Sequence, residues 1–106
     1  MEYMKDLVES MDWVLHHAER CVEKAHEHKQ TCPEVARIFS TIGEDLLKEY
    51  QQLHACAERC VEDKIRKNNG ELTEYMKGMN SAYKALHKRE VERYDKVKRK
   101  LDEYRG

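Results

Sequence analysis

A chain of 106 residues has room for one domain and not for two. With 39% charged residues, four glycines and one proline, it excludes a compact mixed fold and favours long helices with a wet exterior. A formal net charge of −1 gives bulk electrostatics no preference for nucleic acid or for an acidic membrane.

The charge is uneven along the chain. Residues 84–106 carry nine Lys/Arg against five Asp/Glu, whereas residues 1–32 carry four against seven. The opening stretch MEYMKDLVES is acidic and amphipathic, without the basic and apolar segments of a signal peptide. No run approaches the roughly 18 apolar residues of a membrane span. The expectation is a cytoplasmic protein whose four cysteines are reduced thiols.

The first predicted helix runs from about Glu2 to about Lys29. Met4, Leu7, Val8, Met11, Val14, Leu15, Ala18, Val22 and Ala25 recur at three-four spacing and form one stripe. Thr31-Cys32-Pro33-Glu34 is a break and restart, because proline suits a first helical turn and pushes the residue before it out of the α region. The second helix runs from about Pro33 to about Lys67, with a stripe of Val35, Phe39, Ile42, Leu46, Leu53, Ala57 and Cys60, widened by Leu47, Tyr50 and Val61. Asn68-Asn69-Gly70 ends it. The third helix runs from about Leu72 to about Tyr104, on Leu72, Met76, Met79, Tyr83, Leu86, Tyr94, Val97 and Leu101. Short connections between long helices force antiparallel neighbours, so the expected fold is all-α, an up-down-up three-helix bundle. The wide apolar arc of the second helix leaves surface for a second chain, so a homodimer is expected.

Residues 16–32, HHAERCVEKAHEHKQTC, bring together side chains that transition metals prefer. His17, Cys21 and His28 fall within about 40° on one flank of the first helix. His17 and Cys21 are one turn apart and could share a metal ion. Cys21 and His28 are about 10.5 Å apart along the axis, too far to be bridged by bonds of about 2.0–2.3 Å. The favoured reading is a small core cysteine beside amphipathic flank histidines. Cys56 and Cys60, in HACAERC, also lie one turn apart on one face. Counted outward from the first connection, Cys21 lies near level 41 of the second helix, so the two cysteine regions do not meet. The favoured reading of this pair too is reduced thiols of the core.

Glu90 breaks the pattern. It falls on the apolar face of the third helix, among Tyr83, Leu86, Tyr94 and Val97, where an unpaired carboxylate is costly. The same count sets it opposite Glu49, with Trp13 to His17 at a similar height and His87 one turn away. A central layer of Glu49, Glu90, His87, His54 and His17 follows. Its favoured reading is a polar layer in which Glu90 accepts from a histidine, Trp13 or Tyr50 and fixes helix register. Its alternative is a site for a transition-metal ion built from Glu49, His54, His87 and Glu90, with His17 and Cys21 beside them. Ferritin-like sites need Glu-x-x-His pairs and four helices, and His87-x-x-Glu90 runs in the reverse order.

EDLLKEYQQLH, followed by YKALHKRE and LDEYR, resembles small helical proteins of Firmicutes phages and prophages, ferritin-like in outline. The matching positions are Tyr50, Leu53, His54, Tyr83, His87, Asp102 and Tyr104. The resemblance covers about two thirds of the chain on short motifs, and implies a phage-type origin rather than a reaction. In the basic run from Arg93 to Arg105, Asp95, Asp102 and Glu103 interleave with the cations, the mark of a solvated face rather than a nucleic-acid surface. No phosphate loop, nucleophile elbow or catalytic triad pattern is present, so an enzyme is not expected. The expected function is protein–protein binding, as by a phage-encoded inhibitor or adaptor of a host protein, and the alternative is a bundle carrying iron, zinc or copper.

Overall fold

The computed structural model describes residues 2–67 and 74–106, and the side chains of residues 5–63, 66–67, 84 and 88–106. It consists of α1 (Glu2–His28), α2 (Pro33–Lys67) and α3 (Glu74–Arg105), with no strand among the described residues. The chain is a rod of 57 × 19 × 18 Å. No described helix is long and apolar enough to cross a membrane. The expected Asn-Asn-Gly stop and the apolar residues from Leu72 to Leu86 lie outside the described side chains.

The α1–α2 connection follows its residues. Cys32 donates its amide to His28 O at 2.8 Å, and its own carbonyl accepts the Ala36 amide at 3.1 Å. Pro33 thus occupies the first helical position, where a missing N–H leaves no intrahelical bond unmade.

The core runs through Met11, Val14, Leu15, Ala18 and Val22 of α1, Leu47, Tyr50 and Ala57 of α2, and Val97 and Leu101 of α3. The centre of the α2 face is not the expected line through Ile42. It runs through Ala36, Ser40, Gly43, Leu47, Tyr50 and Ala57, while Ile42 is 41% exposed. Small side chains explain this rotation. A Cβ at Gly43 would meet Val22 Cγ2 at 3.1 Å and the Cys21 Cβ at 3.6 Å, so the two helices touch nearly backbone to side chain there. Larger residues are displaced to the flanks. Ser40 enters this seam cheaply because its hydroxyl donates to the Arg37 carbonyl at 2.7 Å. The contact of Gly43 with Cys21 also fixes the antiparallel register, within two residues of the expected level.

Polar contacts tie α3 to its neighbours at two heights. Midway, the Arg93 guanidinium donates to Glu19 Oε2 at 3.0 Å and to His16 Nδ1 at 2.8 Å, and pairs with Asp12 Oδ1 at 3.5 Å. Arginine has no acceptor, so His16 accepts at Nδ1 and carries its ring proton on Nε2. At the far end, His26 Nε2 donates to the Lys100 carbonyl at 2.7 Å and Lys29 donates to the Tyr104 carbonyl at 2.9 Å. The Tyr104 carbonyl lies in the last turn of α3, where the Lys29 cation also complements the helix dipole. Arg105 reaches across to Glu44 of α2.

Candidate functional site

Glu90 is where the fold departs from an ordinary bundle. Its side chain is 3% exposed, the one buried carboxylate among the described residues. Tyr50, one turn beyond Leu47 on the α2 core line, donates its hydroxyl to Glu90 Oε2 at 3.2 Å. Glu90 Oε1 is buried and has no hydrogen-bond partner. Burial raises the Glu90 pKa above the ordinary carboxylate range; the Tyr50 hydrogen bond opposes it, the Asp12 charge adds to it, and Arg93 and Arg89 oppose it. The buried carboxyl therefore favours its neutral form more than an exposed glutamate does.

Aromatic rings pack around this group. Tyr50 stacks on Tyr94 with centroids 5.3 Å apart, and Gln51 donates to the Tyr94 hydroxyl at 2.6 Å. The His54 ring lies 6.3 Å from that of Tyr50, and its Nε2 is 3.6 Å from Glu58 Oε1. Tyr50, Gln51, His54, Val91 and Tyr94 line an open cleft of about 120 Å³ between α2 and α3.

The structure separates the other predicted site residues. Glu49 is exposed, one residue and about 100° from Tyr50, which takes the position facing Glu90. His17 is exposed and lies flat against Trp13, with centroids 4.9 Å apart and planes 9° apart. Cys21 is buried against Gly43, and burial raises its thiol pKa despite the nearby Arg20 charge. The side chain of His87 lies outside the described residues. Among the described residues, no three of His, Cys, Asp and Glu come together to hold a metal ion.

Two features were not anticipated. Arg93 meets three α1 side chains, and its signal was the acceptor spacing Asp12, His16 and Glu19, an i, i+4, i+7 face. The second is a set of exposed large apolar side chains: Trp13 at 60%, Ile38 at 55% and Ile42 at 41%. On the helical wheels all three lie on the α1–α2 side turned away from α3. No family model, curated protein or solved structure matches this chain.

Proposed function

We propose that this chain is a non-catalytic, cytoplasmic binding protein that works as a homodimer through the outer face of the α1–α2 pair. The observation that carries this reading is the exposure of Trp13, Ile38 and Ile42 on that face. A stable interface buries about 800 Å² per partner, and one side of a 57 × 19 Å rod is large enough to supply it.

The charge pattern favours a second copy as the occupant. The face also carries Arg20 and Lys24 on α1 and Asp45 and Glu49 on α2, all exposed. Gly43 is level with Cys21, so Arg20 is level with the neighbourhood of Asp45. A two-fold axis along the rod sets α1 of one copy on α2 of the other at equal height. Arg20 then meets Asp45 of the partner subunit twice, interleaved with the exposed apolar residues. The four central helices form an antiparallel bundle. The remaining charged exterior is the surface offered to a protein target, in keeping with the resemblance to phage proteins at Tyr50, Leu53 and His54.

Sedimentation equilibrium tests this reading. The wild type should associate to twice 12.7 kDa at concentrations on the order of micromolar. Ile42→Glu should be a folded monomer. A wild type that stays monomeric at about 100 µM removes the dimer.

A second reading, a metal-binding bundle, is favoured by one observation, the unpartnered Oε1 of Glu90. It predicts that purified protein carries a metal ion whose removal by chelator lowers the melting temperature.

A further inference from the structure

We propose that Cys56 and Cys60 form a two-thiolate site for copper(I). They lie one turn apart within α2, so their side chains share a face with Cβ atoms about 5–6 Å apart. Two sulfurs at that spacing can converge on one ion. Both residues are half-buried within the chain. Cys60 packs against the core cluster, which holds its end of the pair in place.

The donor set selects the ion. Zinc takes four ligands in a closed site, and no third His, Cys, Asp or Glu of the same chain joins the pair among the described residues. Soft thiolates favour copper(I), which accepts two sulfurs in a near-linear arrangement. Binding replaces two S–H bonds by two S–Cu bonds and releases two protons, giving a complex of net charge −1 with no change in oxidation state. Neither of the other cysteines can substitute. Cys21 is buried beside Gly43, about 20 Å along α2 from the pair, and Cys32 lies in the α1–α2 connection.

The test is an anaerobic titration of the full, reduced chain with copper(I) against a chromogenic copper(I) chelator. One ion per chain should be withheld from the chelator, and zinc(II) under the same conditions should not be retained. Outer-shell partners of metal sites are each worth about 10–100-fold in affinity, so removing one of two direct ligands should cost more than about 100-fold. Cys56→Ser and Cys60→Ser should each show that loss, with unchanged helical circular dichroism. Cys21→Ser and Cys32→Ser should bind as the wild type does. Retention of copper by the Cys56→Ser or Cys60→Ser protein would overturn the assignment. So would its complete release from the wild type, or equal retention of zinc.

Discussion

Tyr50 donates a 3.2 Å hydrogen bond to one carboxyl oxygen of Glu90, while the other oxygen is buried without a partner. Burial pushes this carboxyl toward its neutral form, which has less desolvation to repay.

The pH dependence follows. Burial raises the folded-state pKa of Glu90 above the unfolded value of about 4.3, so the native state holds this proton more tightly. The resulting stabilisation is complete below the unfolded pKa and is lost as pH rises through the folded one. Glu90→Gln has no such dependence. Relative to wild type it should therefore gain stability as pH climbs above about 4, and become neutral or stabilising at pH 7. Urea melts of both proteins across that range check this. A gap that narrows with rising pH would show a carboxylate stabilised by its surroundings.

Glu90→Leu separates the polar layer from the metal reading. Replacing a buried polar group by an apolar one of similar size is often close to neutral, so a cost within about 1 kcal/mol is expected. Chelator should act no differently on wild type and on the variant. A chelator-induced drop of many degrees in wild type alone would make Glu90 a metal ligand, with His54, His87 and Glu49 the next residues to test.

Gly43 sets the α1–α2 distance. Gly43→Ala meets Val22 at 3.1 Å but gains helix propensity of about 1 kcal/mol, so its net effect should be small. Gly43→Val adds branches that the seam cannot hold and should cost about 1–3 kcal/mol. Thermal melts of the two variants give the comparison; equal melting temperatures would mean that the seam yields easily.

Arg93 is a fork with three acceptors on α1, two of them carboxylates. Its side chain is 33% exposed, so screening limits its worth to about 1 kcal/mol. Arg93→Ala should cost about that much and the loss should shrink in high salt. Arg93→Lys should not recover it fully, because a point charge cannot reproduce the fork. Complete rescue by lysine would reduce the contact to simple charge attraction.

The fold was legible because its signals are local and redundant. The three-four spacing from Met11 to Ala25 and the Cys32-Pro33 break fixed the first two helices and their junction. The level of Glu90 was legible to within one residue. That single residue matters on a helix, since it turns Glu49 outward and brings Tyr50 in. The central line of α2 was harder to read because its key residues are small. Ala36, Ser40 and Gly43 carry little hydrophobic weight in a sequence pattern, yet they govern how closely the helices approach. Ile42 carries much weight and lies exposed beside them. The stacking of His17 on Trp13 left no signal beyond their i, i+4 spacing.

The most direct test of the dimer is a charge swap at Arg20 and Asp45, read by sedimentation equilibrium. Arg20→Glu places two acids face to face across the proposed interface, and Asp45→Arg places two bases there, so each should weaken association. The double variant Arg20→Glu/Asp45→Arg restores opposite charges at both symmetric contacts and should recover the wild-type dimer. If the single variants dimerise as well as wild type, or if the double variant is no better than either single one, the two residues do not meet across a two-fold axis and the proposed binding face is wrong.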